Sequence, residues 1–306
     1  MTQKTKIFLK IILLTVVGIF SVNFIRQHPD AFKKIWQLEF LEFVNLSALI
    51  LVGFALQGYV LKILLEYFNI KLSVKEWFGL RILNTYSNYL FIKGGPVVKG
   101  IYLKKNYNLK YSCFLLVLIY QVLLQLGCAS FIALLGAFYQ YQYYGSFNLI
   151  IFAFFVCVLL AVIVIFLLPE RIISKFKMND PDINLVEYVN IFKSKKILIK
   201  CSILGLASVL LMCYRIFLMQ GMIFEPIPFS LAVIIVTAGI FSGVIALTPA
   251  ALGIREAIMA YTASVTGGSL IETATVGSLD RGLTMMWIFP LGIVLSIWYS
   301  KNSNLK

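Results

Sequence analysis

One histidine, His28, stands in a chain of 306 residues. No cysteine or second histidine lies near enough to share a metal with it, which excludes a histidine-based metal centre or catalytic triad. The five cysteines (Cys113, Cys128, Cys157, Cys201, Cys213) have no paired spacing and no C-x-x-C. All lie in apolar runs, where cysteine acts as a small hydrophobe, so neither a disulfide framework nor a metal site is expected. Charge is scarce as well. Only 13% of residues are charged, against about 25% in soluble domains, and too few remain to solvate a water-facing surface. No metal or other cofactor is expected.

What fills the chain is apolar: 60% of residues are hydrophobic and the mean hydropathy is +0.91. A bilayer core of about 30 Å takes roughly 20 apolar residues per helix. Runs of that kind occur at 7–25, 44–65, 112–137, 149–168, 198–224, 229–247 and 283–299. The expected fold is an all-α polytopic integral membrane protein, a single transmembrane domain over 1–306 with about seven or eight spanning helices. Lys4, Lys6 and Lys10 precede the first run as in a signal peptide. No small-residue cleavage pattern follows it, so an uncleaved span is favoured.

The net charge of +14 does not imply nucleic acid, because no basic stretch belongs to a water-soluble domain large enough to dock a duplex. Positive residues collect in cytoplasmic loops. Nine Lys/Arg lie in Lys62–Lys110 against Glu66 and Glu76, and seven lie in Arg171–Lys200. Phe138–Asn148 has none. This pattern puts the amino terminus and both basic loops in the cytoplasm of a multi-pass inner (cytoplasmic) membrane protein. Seven spans would leave the carboxyl terminus outside, whereas Lys301 and Lys306 suggest inside; an eighth crossing within 249–281 would remove the conflict. Tyr139, Tyr141, Tyr143 and Tyr144 fit an aromatic belt at the outer interface.

Two stretches, 74–108 and 249–281, are too polar for simple spans and too apolar for free loops. Re-entrant or broken helices fit them, since irregular backbone at membrane depth must be buried in protein or line a cavity. In the second stretch, Pro249 ends a helix and Gly253 gives a joint before a new one near Ile254. That helix start presents backbone N–H groups and a positive dipole end to an anion. Arg255 would strengthen anion binding; Glu256 would pair with it or take a cationic group. In the first stretch, Lys93-Gly94-Gly95-Pro96 separates Arg81 and Asn84 from Val97, Val98 and Lys99. A broken helix in each half of a chain points to a transporter's midplane site, while an amphipathic cytoplasmic helix with a Gly-Pro turn explains the first break equally well.

Ionisable residues in apolar segments cost about 2.5–3.5 kcal/mol each on insertion scales and need partners or a purpose. Arg215, Arg255, Glu256, Glu272, Asp280 and Arg281 gather in the last third, three of each sign. They read either as buried ion pairs that hold helices in register or as a polar pocket for an anionic or zwitterionic head group, and the two readings are compatible.

At the two broken stretches the sequence resembles the flippase-like transmembrane region of lysylphosphatidylglycerol synthases. That family has a Pro-x-Gly-x-Gly-x-Arg-Glu-like motif, to which Thr248–Ala257 is similar. It also has an Asn-x-x-x-Pro-x-x-x-Gly-x-x-x-Arg-like region with a basic Leu-containing stretch, similar to Asn84–Lys105, and a late acidic-Arg pair similar to Asp280-Arg281. The chain departs from this pattern where Ala250-Ala251 replaces a Gly-rich pair, Pro96 stands where an acid is common and Lys99 replaces the usual arginine. The resemblance implies lipid translocation, or a supporting role, rather than lysyl transfer. The substrate-binding residues expected on this basis are Arg81, Asn84, Lys93, Gly94, Gly95, Lys99, Arg215, Gly253, Arg255, Glu256, Asp280 and Arg281. The partner would be a membrane lipid or lipid-linked substrate, with a homo-oligomer or a membrane enzyme partner also compatible.

Two other functions compete with translocation. One is a non-transporting component of a cell-envelope lipid or polysaccharide pathway. The other is a membrane glycosyl- or lipid-transferase, supported only by Asp180-Pro181-Asp182, a formal D-x-D. That triplet sits in a loop of roughly 30 residues, too short for a nucleotide-binding fold, and Pro181 favours a turn. With no supported catalytic motif, the chain reads as transporter-like rather than enzymatic.

Overall fold

The computed structural model describes residues 39–145, 148–167, 194–245 and 247–302. The expected first span at 7–25, His28 and Asp180-Pro181-Asp182 lie outside the described residues. Every described element is helical. They are α1 (Phe40–Glu66), α2 (Val74–Leu90), α3 (Gly94–Tyr107), α4 (Tyr111–Tyr144), α5 (Leu149–Leu167), α6 (Lys195–Ile223), α7 (Phe229–Ile245), a 3-10 turn (Pro249–Ala251), α8 (Ile254–Val265) and α9 (Leu270–Asn302). Helices α1, α4, α5, α6 and α9 are long and apolar enough to cross a membrane, by length and composition. The protein is thus an all-α polytopic membrane protein. Helix α5 leaves most of its strongly apolar surface exposed, as a helix facing lipid does.

The bundle has two ends of different chemistry. One carries Lys62, Lys71, Lys104 and Lys110; the other carries Tyr139, Tyr141, Tyr143 and Tyr144. Helices α2 and α3 form a hairpin that starts and finishes at the basic end. Their base is tied by Glu76, whose Oε1 accepts the hydroxyls of Tyr102 (2.8 Å) and Tyr107 (2.5 Å). The Tyr299 hydroxyl donates to the carbonyls of Lys75 and Glu76, at 3.2 Å each, which brings the end of α9 to the same place.

Helices α7 and α8 form the opposite hairpin, from the tyrosine end. Ser230, at the start of α7, donates to Gln140 Oε1 at 2.5 Å. Asn148 donates to the Val265 carbonyl at the end of α8 at 3.2 Å. Small residues let α7 lie close to α4: a Cβ at Gly136 would meet Val233 Cγ1 at 2.8 Å, the kind of contact on which helix packing in lipid depends. At 1.5 Å per residue, the 17 residues of α2 and of α7 each reach ~25 Å, so each hairpin turns deep within the bundle. The two turns meet there, where α2 packs on the 3-10 turn.

Within 249–281, among the described residues, regular helix is interrupted between α7 and α8 and between α8 and α9, and α9 runs without a gap from Leu270. Asp280 and Arg281 therefore sit inside a helix rather than ahead of one. Because α8 returns to the tyrosine end before α9 leaves it, α9 finishes at the basic end beside Lys75 and Glu76.

Candidate functional site

The turn of the first hairpin is made by Lys93, which adopts the left-handed conformation (φ 57°), followed by two glycines. The Gly95 amide donates to Asn88 Oδ1 at 2.8 Å, and a Cβ at Gly94 would stand 2.5 Å from the Ser87 carbonyl oxygen. Only glycine permits so close an approach of α3 to α2. Gly94 and Gly95 thus build the hairpin and do not line the cavity beyond it.

In the second turn, Ala250 (φ 50°) and Ala251 (φ 54°) are both left-handed. Their carbonyls are held by one side chain: Arg281 donates from Nη1 to the Ala250 oxygen at 2.8 Å and from Nη2 to the Ala251 oxygen at 3.5 Å. Its Nε donates to Glu256 Oε1 at 2.7 Å, and its guanidinium lies 6.0 Å from the Tyr89 ring centroid. Glu256 Oε2 accepts the Gly253 amide at 2.9 Å. The start of α8 was expected to offer N–H groups to an anion, with Glu256 paired to Arg255 or holding a cationic group. In the structure Glu256 accepts the Gly253 amide and its cation is Arg281.

Asp280 is the second fixed point. It is fully buried, with Arg215 Nε 2.6 Å from Oδ1 and Arg255 Nη2 3.1 Å from Oδ2. Asp280 and Arg281 are neighbours on α9, so they face in different directions: one toward α6, the other toward the hairpin turn. Glu272 stands apart from this cluster and accepts a hydrogen bond from Gln220 at 2.8 Å. Among the described residues the cluster is therefore not neutral: Arg215, Arg255 and Arg281 meet only Asp280 and Glu256.

These groups border a cavity of about 590 Å3 whose wall includes Arg81, Lys93, Arg215, Arg255 and Arg281 and, among the described residues, no carboxylate. Its volume suits a small-molecule-sized group. A smaller chamber of about 210 Å3 adjoins it and shares Arg81, Asn84 and Asn88 with it. Lys99, 6% exposed, projects from α3 into this chamber. Neither Arg81 nor Lys99 has an acidic partner among the described residues. Arg81 instead lies over the Phe54 ring at 5.6 Å, and its Nε is buried without a hydrogen bond.

Of the twelve residues singled out from sequence, seven reach these cavities: Arg81, Asn84, Lys93, Lys99, Arg215, Arg255 and Arg281. Asp280 and Glu256 stand behind the arginines, and the three glycines shape the turns. Sequence reasoning missed Gln57, Gln121 and Gln125 of the smaller chamber, and Tyr89. The signal was available, since Gln121 and Gln125 are polar residues one turn apart inside a span that is otherwise apolar.

The family model for the lysylphosphatidylglycerol synthase TM region matches residues 7–292. No curated protein and no solved structure matches the chain.

Proposed function

The chain belongs to the lysylphosphatidylglycerol synthase TM region family, and on that premise we propose that it binds a lipid head group between its two hairpin turns and carries it across the cytoplasmic membrane. The observation that carries this reading is the pair of opposed hairpins meeting over a cavity walled by five cations. Membrane crossing needs a polar path for the head group where lipid offers none, and broken helices at mid-depth are the usual way to build one. We place the basic end of the bundle in the cytoplasm by the charge rule, which makes the α2–α3 hairpin re-entrant from inside and the α7–α8 hairpin re-entrant from outside. Arg255 and Arg281 would meet the head group from one side, and Arg81 and Lys93 from the other. Asp280 and Glu256 hold the arginines in place.

The test is translocation by purified protein in liposomes carrying labelled phospholipid, or a labelled polyprenyl-linked sugar, in one leaflet. Arg255→Ala is the informative variant, because Asp280 keeps Arg215 as its partner while the cavity loses a cation. The native protein should move at least one of these lipids about tenfold faster than the variant. If no lipid moves faster with the native protein than with Arg255→Ala, the reading fails.

A further inference from the structure

The smaller chamber differs from the rest of the cavity in a way that specifies a ligand. Arg81 on α2 and Lys99 on α3 contribute two basic groups, Lys99 with its side chain buried, and neither is matched by an acid among the described residues. Around them stand primary amides from three helices: Gln57 of α1, Asn84 of α2, and Gln121 and Gln125 of α4. None of these four side chains makes a hydrogen bond within the described residues. Amides on helices that face lipid on their other side are retained where something fills their donors and acceptors. Water alone would satisfy the amides; it would not neutralise the Arg81 guanidinium beside the Lys99 amine. A single group that does both is an anion carrying hydroxyls.

We propose that this chamber is a phosphate subsite for a lipid whose head group is a phosphodiester bearing a polyol. Arg81 and Lys99 neutralise the phosphate, and the amide collar hydrogen-bonds the hydroxyls. The inference rests on the cavity being the head-group route, and it narrows the substrate class. A net cationic aminoacylated head group would face Arg81, Lys93, Lys99 and Arg255 with no free carboxylate among the described residues to receive its ammonium, because Asp280 and Glu256 are both engaged. Like-charge juxtaposition of this kind is how a site rejects a ligand.

Binding rather than transport is the readout, so this inference can fail or stand independently of translocation. The full chain in mild detergent is exposed to equimolar phosphatidylglycerol, phosphatidylethanolamine, lysyl-phosphatidylglycerol, phosphatidic acid and a polyprenyl phosphate sugar, and retained lipid is counted by native mass spectrometry. The lipids that pair a phosphate anion with a polyol should be retained at least tenfold over the zwitterionic and cationic ones. Arg81→Gln with Lys99→Gln should abolish that preference, whereas Lys62→Gln, at the basic end, should leave it intact. Gln121→Leu with Gln125→Leu should remove the preference for phosphatidylglycerol over phosphatidic acid while retention of both persists. The balance between phosphatidylglycerol and the polyprenyl phosphate sugar identifies the source of the phosphate. Thermal unfolding checks that each variant is folded, and the single Arg81→Gln and Lys99→Gln variants serve if the double one is not. Equal retention of cationic and anionic lipids, or an anionic preference that survives loss of both basic groups, overturns the proposal.

Discussion

Arg215 and Arg255 share a carboxylate that no solvent reaches, whereas Arg81 and Lys99 share none among the described residues. Both pairs sit within a bundle where charge is expensive. The first pair is compensated by the fold itself, through α6, α8 and α9 meeting at Asp280. The second has no such compensation, and its buried positive charge is left for whatever enters the chamber. Arg255 is fixed by the fold while it also borders the cavity; Arg81 and Lys99 border it without an acidic partner among the described residues. On the proposed reading, that contrast separates charges the fold already compensates from charges left for a ligand.

The sharpest way to break the contrast is to remove Asp280. In Asp280→Asn, two arginines lose their shared counter-charge in a buried setting, where breaking such a pair costs roughly 3–5 kcal/mol. Thermal unfolding in detergent should show a large fall in the transition, or no folded protein at all. Arg81→Gln and Lys99→Gln should do the reverse of this, leaving stability unchanged or raised, since each relieves a charge without orphaning another. If the Asp280 and Arg81 variants unfold alike, the division between compensated charges and charges left for a ligand is wrong.

A smaller effect tests the second hairpin turn. Glu256→Gln keeps the shape of the side chain but loses the ionic bond to Arg281 and weakens the cap on Gly253. A charge-assisted hydrogen bond is worth about 2 kcal/mol, and the loss should be near that size by the same measurement. Arg281 also holds the Ala250 and Ala251 carbonyls. The loss should therefore be larger in the native chain than in a variant whose turn no longer needs holding.

Much of this architecture was legible in the sequence because the bilayer writes it in a simple code: long apolar runs, basic stretches, and Gly or Pro at breaks. Arg81, Lys93, Lys99 and Arg255 stood out for the same reason, as charges at those breaks. Partner choice was not legible. Adjacency suggests Arg255 as the partner of Glu256, with another cation as the alternative, yet neighbours on a helix diverge, and Arg281 arrives from α9 only when the α8–α9 hairpin closes. Glu272 belonged by composition to the charged cluster, but it lies eight residues before Asp280 along α9, about 12 Å of rise, and pairs with Gln220. The glutamines of the small chamber were hidden by their apolar surroundings, and only the convergence of α1, α2 and α4 gives them a common purpose.

The smallest predicted effect bears on how the second turn differs from the first. The first turn spends its left-handed residue on Lys93 and supplies glycine immediately after it. The second puts alanine at two left-handed positions, φ 50° and 54°, where the resembling family favours glycine. An L-residue in that region costs roughly 1–2 kcal/mol, and glycine gives back about 0.4–1 kcal/mol of that in chain entropy. Ala250 is only half-buried, so Ala250→Gly should gain a net amount of about 0.5–1 kcal/mol. Ala251 is 4% exposed, and its methyl contributes about 0.8 kcal/mol of burial, so Ala251→Gly should come out close to neutral. A raised unfolding transition in the first variant and none in the second would locate the strain at Ala250. In the Ala250→Gly background the penalty of Glu256→Gln should then shrink, because Arg281 no longer has a strained carbonyl to restrain; an unchanged penalty would mean that Arg281 holds the turn for the sake of the cavity wall rather than against backbone strain.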